Sequence, residues 1–301
     1  MTGYQIDDVP SIEIDEQFKQ ILEESNADSA QVDLMSEAII AVDESDNELG
    51  PISKVEAHYS SGELHRAFSV LLFDSNNRLL LQKRASHKVT FPNVWANSCC
   101  SHPLYSESER ELKDALGVKR AAIRKLKQEL GIGEDQVPIN DFNFITKMVY
   151  SSRMNEEWIE REIDHILIIK ADVDVNFNAN EVSEVKWVNQ EELEEMLVAE
   201  VEGDGEIAPW FRCIASRLMT EQWWDAVGDS DKLSAISDEM IHDMGDVSHM
   251  LSYAEGAGLN VSIKEVKPLV ERRISESLRA SKHSTLSDAM MHLVDGGGKR
   301  L

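Results

Sequence analysis

Residues 114–131, DALGVKRAAIRKLKQELG, decide the fold class. Ala122, Leu126 and Leu130 recur at the helical period, Asp114 stands where an N-cap belongs, and Gly131 is a stop signal. On both sides of this helix the texture changes to strands. Upstream, residues 65–85, HRAFSVLLFDSNNRLLLQKRA, are two β-rich runs around the polar stretch Asp74–Asn77, which reads as a hairpin. Further upstream, SEAIIAVDESDNELG (36–50) reads as a strand, a polar turn and a return. Downstream, NFITKMVY (143–150), EREIDHILIIK (160–170) and EVKWVN (184–189) read as strands, followed by two helices, QEELEEMLVAE (190–200) and PWFRCIASRLMTEQWWD (209–225). A mixed α/β sheet sandwiched by helices is the expected architecture.

The ends differ from this centre. Residues 1–30 are acidic, include EESNADSA (23–30) and read as a loose tail. After residue 228 there is no strand signal, only helical periods broken near Gly256–Gly258 and Pro268. The expected organisation is a tail (1–30), an α/β domain (31–228) and an all-helical segment (229–301).

The 301 residues are 42% hydrophobic, enough for a sizeable core. Asp and Glu number 56 against 30 Lys and Arg, a net charge of −26; residues 1–50 hold 14 acids and one base, Lys19. Such a surface repels nucleic acid and anionic membranes, so neither is an expected partner. We read the acid excess as solubility in a salty medium rather than as a docking face. No apolar run nears the ~20 residues of a membrane span. The N-terminus has no signal-peptide pattern, and the three cysteines fit a reducing compartment, so the expected location is the cytoplasm.

Residues 93–106, NVWANSCCSHPLYS, place Cys99 and Cys100 side by side, two residues from His102. Adjacent cysteines rarely bridge, because the linking peptide would be strained. The pair reads as a buried strand end with inert thiols, a metal site, a nucleophile or an acid–base group. Other ligand-type residues are His58, His65, Glu160 and Glu162; the last two flank Arg161 on a strand and share a face. Three imidazoles and two carboxylates would suit a divalent ion of the zinc, manganese or magnesium class.

LHRAFSVLLF (64–73), NSCCSHPL (97–104), DALGVKRAAIRKLKQELGI (114–132), WIEREIDHIL (158–167) and APWF…WWD (208–225) follow one another in the order and spacing of the type I isopentenyl-diphosphate Δ-isomerases. The chain resembles that family from about residue 31 to 228, which implies a variant of the Nudix fold. The implied reaction moves the double bond of isopentenyl diphosphate to give dimethylallyl diphosphate, in isoprenoid biosynthesis, without flavin. By motif, His58, His65, His102, Glu160 and Glu162 match ligands of one divalent ion (zinc, manganese or magnesium). Cys100 matches the catalytic thiol, Glu162 and Tyr150 its acid–base partners, and Trp210 the aromatic at the reacting carbon. Lys54, Arg84, Lys88 and Lys125 match cationic diphosphate contacts, and Glu129 the carboxylate that holds Mg²⁺ with the diphosphate. Relatives often carry arginine at position 125. A cation beside Cys100 is expected to lower its pKa.

The rival reading is a Nudix hydrolase of a diphosphate substrate. Its helix motif, R-E-x-x-E-E-x-G, meets RKLKQELG (124–131), in which Lys125 and Gln128 replace two of the three glutamates and only Glu129 survives. At the other end, LSDAMMHLV and DGGGKRL resemble the start of a trans-polyprenyl (geranylgeranyl-type) diphosphate synthase, in which Lys299 and Arg300 would match diphosphate ligands. That resemblance implies an isomerase–prenyltransferase fusion with a downstream domain; a plain basic terminus is the other reading.

Overall fold

The computed structural model describes residues 9–10, 12–24, 29–201, 206–219 and 221–248. Two helices come first, α1 (Glu16–Glu24) and α2 (Ser29–Met35), then a hairpin of β1 (Ala38–Val42) and β2 (Glu48–Ser53) and the short α3 (Lys54–His58). The centre holds β3 (His65–Phe73), β4 (Leu79–Arg84), β5 (Trp95–Ala96), β6 (Cys99–Ser101) and α4 (Leu116–Leu130). The long β7 (Asn143–Arg153), β8 (Ile159–Lys170) and β9 (Val182–Val188) complete the main strands. After them come α5 (Gln190–Val201), α6 (Pro209–Cys213), α7 (Glu221–Ala226), α8 (Ser230–Ile236) and a last strand, β10 (Ile241–Asp246).

All strands join one mixed sheet whose main path runs β10-β7-β8-β3-β1-β2. Every residue of β3 is buried, as a strand covered on both faces must be. Phe68, Val70 and Leu72 face a core layer that α4 fills with Val118, Ala122, Leu126 and Leu130. Leu71 and Phe73 face the opposite layer, filled by Leu193, Leu197, Phe211 and Trp224. Period 2 in β3 and period 3.6 in the helices thus meet on both sides of the sheet. β3 and β8 run parallel, pairing His65 with Glu162 through to Phe73 with Lys170.

Five expectations change. α1 forms within the segment read as a loose tail, because Phe18, Ile21 and Leu22 share a helix face that packs with Val55 and Trp158. The β3–β4 hairpin closes through only one pair, Phe73 with Leu79, before β4 leaves to pair with β5 and β9. Asp114 is no N-cap: it and Ala115 have φ of 53° and 54°, and the α-helix begins at Leu116. β10 lies in the segment read as all-helical; it pairs parallel to β7, and Met244 and Val247 join the α5–α8 core layer. β10 therefore extends the same sheet, and the described residues through 248 pack with it. The helix expected over 209–225 is interrupted by a π-turn at Ile214–Leu218. Gly131 ends α4 as expected: at φ 69° a Cβ would lie 2.4 Å from the Asn176 carbonyl oxygen.

Candidate active site

A capping box sets His58. The Ser53 side chain accepts from the Glu56 N–H while Glu56 reaches back to the Ser53 N–H, starting a one-turn helix that ends on His58. His65 is the first residue of β3 and sits opposite Glu162 of β8; β7 places Tyr150 opposite Glu162 and Ser152 opposite Glu160. His102 follows β6. Each of His58, His65, His102, Glu160 and Glu162 offers a ligand atom, and all five atoms lie within 4.8 Å of one another. The three imidazole centroids are 4.6, 5.0 and 4.9 Å apart.

The ring nitrogens are oriented from outside. His58 Nδ1–H donates to the Lys54 carbonyl and His65 Nδ1–H to the Glu63 carbonyl, each at 2.7 Å, so both turn Nε2 toward the carboxylates. His58 Nε2 lies 2.7 Å from Glu160 Oε2, and His102 Nε2 lies 2.8 Å from Glu162 Oε1. Yet His65 Nε2 and Glu160 Oε2 are buried without a hydrogen bond of proper geometry. Burial, with His65 and His58 beside it, pushes the His102 imidazole well down. Burial opposes ionisation of Glu160 and Glu162, but the surrounding imidazoles hold both below the usual carboxylate value. Burial disfavours the charged His58 imidazole, but Glu160 and Glu162 hold it above its usual value, a proton that a bound cation would displace. Imidazole nitrogens and ionised oxygens converging on one point, two of them unsatisfied, are the donor set a divalent cation takes. The residues fit such an ion.

Beside this centre lies the reactive end of the cavity. Tyr150 Oη donates to Glu162 Oε2 at 2.5 Å, and burial keeps the phenol protonated. Cys100 arrives on β6, which pairs with β3 on the side away from β8, so Cys100 and the Tyr150–Glu162 pair enter from opposite sides of β3. Cys99 faces the other way, into the core layer beneath α4. Arg84 Nη1 lies 3.9 Å from Cys100 Sγ. Even so, burial dominates and pushes the Cys100 thiol up to about 12, with Arg84 only tempering it. The expected lowering does not occur; Cys100 holds its proton. Trp210 walls the cavity, its indole N–H donating to Asn97 Oδ1 at 3.2 Å, with Phe91 edge-on at 5.5 Å. Arg84 stacks 5.4 Å from the Trp210 centroid and is tied down by the Phe91 and Thr90 carbonyls.

The far end is cationic. Lys54, Lys88 and Lys125 line it with Glu129. Burial lowers the Lys54 ammonium to about 8; Glu37 opposes the drop, and Lys125 and Lys88 add to it. Lys125 Nζ lies 3.1 Å from Glu129 Oε1, while Gln82 Nε2 donates to Glu129 Oε2 at 3.0 Å. Lys88 Nζ lies 2.5 Å from Glu181 Oε2. Lys299 and Arg300 lie outside the described residues.

Comparison with known proteins separates the readings. Residues 63–211 match the NUDIX domain. An isopentenyl-diphosphate delta-isomerase of Aspergillus fumigatus is 47% identical, over 68% of this chain and 77% of its own. The Bos taurus isopentenyl-diphosphate Delta-isomerase 1 is 44% identical, over 72% of this chain and 96% of its own. A Dictyostelium discoideum isopentenyl-diphosphate Delta-isomerase is 46% identical, over 69% and 90%. The chain belongs to the isopentenyl-diphosphate Δ-isomerase family. Its Nudix sheet accordingly carries an isomerase-type α4, in which Lys125 faces Glu129 where a hydrolase would gather carboxylates. Among the described residues no helix is long and apolar enough to cross a membrane.

Sequence reasoning missed several members of the isomerase site. Asn97 and Gln82 orient Trp210 and Glu129. Gln31, Leu34 and Met35 of α2 line the cavity from the segment next to the supposed tail. Asn97 opens NSCCSHPL, and its amide beside two cysteines is the available signal; α2 offers none beyond its apolar residues.

Proposed function

We propose that this cavity converts isopentenyl diphosphate to dimethylallyl diphosphate by proton transfers at Cys100 Sγ and Glu162, with the diphosphate among Lys54, Lys88, Lys125 and Arg84. The observation that carries the reading is the five-ligand centre placed directly behind the Tyr150–Glu162 bond, with Cys100 opposite and Trp210 as the wall. Shifting an unactivated double bond needs a proton on the terminal carbon and another removed from the carbon beyond the branch. Cys100 holds a proton and Glu162 lacks one, so the thiol delivers and the carboxylate accepts. The Tyr150 hydroxyl supports Glu162 and follows its proton. Positive charge on the branched carbon between these events is sheltered by the indole face of Trp210, which Asn97 fixes. Arg84, facing Cys100, stabilises the thiolate left behind.

An ion held by His58, His65, His102, Glu160 and Glu162 (zinc, manganese or magnesium) supplies Lewis acidity that tunes Glu162. Glu129, one carboxylate already balanced by Lys125, suits Mg²⁺ only with oxygens from the diphosphate itself, the usual magnesium pattern. His65→Ala tests the reading. The variant should remain folded by circular dichroism, lose its divalent metal and lose nearly all isomerase activity; full activity in the metal-free variant refutes it.

None of Cys99, Cys100 and Cys213 forms a disulfide, which supports a cytoplasmic setting. We assign residues 31–248 to the isomerase domain, with the acidic N-terminal segment before it. The GGGKR stretch supports a prenyltransferase-type domain beginning at the other end, with Lys299 and Arg300 as diphosphate ligands. A transcript read past the Leu301 codon tests that fusion.

A further inference from the structure

Glu181 is a buried acid that the proton chemistry leaves unused, and three segments of the cationic end converge on it. Its side chain is 2% exposed. Oε2 accepts from Lys88 Nζ at 2.5 Å and Oε1 accepts from Gln128 Nε2 at 3.2 Å. Its backbone is pinned as firmly: its carbonyl accepts from Ala85 N–H, at the start of the segment carrying Lys88. The loop before it is laced to α4, Asn176 N–H donating to the Leu130 carbonyl and Asn178 N–H to the Glu129 carbonyl. From α2, Gln31 Nε2 donates to the Asn180 carbonyl.

Gln128 explains how a carboxylate is tolerated there. Position 128 is one that hydrolases fill with glutamate; a second acid would face Glu181 and repel it, whereas the amide donates a hydrogen bond. The two departures from the hydrolase motif therefore answer two acids: Lys125 faces Glu129, and Gln128 faces Glu181. A lysine ammonium on four flexible methylenes has no preferred direction of its own; Glu181 gives Lys88 one.

We propose that Glu181 is the positioning residue of the diphosphate cradle, fixing Lys88 and, through Gln128, α4 in the arrangement that receives the anion. This rests on the reading of the lysine end as the diphosphate site. Simple electrostatics predicts the opposite sign, since removing an acid next to an anion site should tighten anion binding. The two views therefore part cleanly.

The test is the dissociation constant of inorganic pyrophosphate, by calorimetry on the metal-loaded full chain, for wild type, Glu181→Gln, Lys88→Met and the double variant. Glu181→Gln keeps the volume and loses the charge. It should weaken pyrophosphate on the order of 10-fold, the scale of one charge-assisted hydrogen bond, and raise KM far more than it lowers kcat. Glu181→Gln should cost less affinity in the Lys88→Met background than in wild type, because part of its effect runs through Lys88. Glu181→Asp, which keeps the charge but withdraws it by one methylene, should also weaken binding, and it serves if Glu181→Gln does not fold. Unchanged or tighter binding in the Glu181 variants, with Lys88→Met weakened, overturns this proposal alone. Wild-type binding by Lys88→Met removes the diphosphate reading and the proposal with it.

Discussion

Replacing each of the adjacent cysteines by serine should have opposite consequences. Cys99 is fully buried beneath α4, its Sγ 3.6 Å from Glu129 Oε2. A serine hydroxyl there is smaller and more polar but keeps a carboxylate to donate to, so the loss should be about 1–2 kcal/mol of stability. For a domain of this size that lowers Tm by roughly 2–8 °C, with little effect on rate. Cys100 faces the cavity, and its burial keeps the thiol protonated for delivery. A hydroxyl is a far weaker acid and would surrender its proton less readily. The rate should fall on the order of 10²–10⁴-fold, the usual worth of a positioned acid, equivalent to about 3–5 kcal/mol of barrier. Cys100→Ser should still bind the substrate, because Lys54, Lys88 and Lys125 are untouched. The assay is conversion of isopentenyl diphosphate to its acid-labile allylic isomer, at matched fold by circular dichroism. Equal losses from both variants would mean that the pair acts structurally; the reverse order would mean that the proton travels on Cys99.

Other perturbations read other parts of the structure. Because burial brings Lys54 down to about 8, its positive charge is lost as pH rises through that value; substrate KM should climb above pH 8, and Lys54→Met should flatten the climb. Asp46, at the β1–β2 turn, accepts from Arg66 Nε at 2.8 Å and lies 2.9 Å from His165 Nε2. Burial opposes its ionisation, but these partners hold it at about 2, below the ordinary 3.8. Its folded value being the lower one, the stabilisation is present above 3.8 and lost as pH falls toward 2. Asp46→Asn should cost about 2 kcal/mol in urea unfolding at pH 7, the gap to wild type closing in acid; an unchanged gap would refute the ionic account. A chain ended at Asp229 loses β10, leaving the β7 edge unpaired and the core without Met244 and Val247. It should unfold at lower temperature than one ended at residue 248, which should isomerise normally.

What the sequence disclosed and concealed follows the range of the interactions involved. β3 and α4 were readable because their periods are local, and Glu160 and Glu162 could be put on one face by alternation alone. That His65 meets Glu162 depends on parallel β3–β8 pairing between residues nearly a hundred positions apart, which no local pattern encodes; the metal-ligand set therefore needed the resemblance. β10 escaped because IHDMGD has little strand character and is held by β7 rather than by propensity. The left-handed residues 114 and 115 escaped because the turn serves the close approach of Gly117 to the Glu109 carbonyl, where a Cβ would lie 2.2 Å away. The Cys100 prediction failed for a related reason: sequence put a cation near the thiol but could not weigh that cation against burial.

The claim that this Nudix sheet moves a double bond rather than cleaving a diphosphate is tested most directly by proton and phosphorus NMR of isopentenyl diphosphate incubated with the metal-loaded chain. The account predicts that the terminal =CH₂ signals give way to the single vinyl proton of dimethylallyl diphosphate while both phosphorus resonances of the diphosphate persist. Release of inorganic phosphate or a monophosphate, with the terminal alkene unshifted, would contradict it.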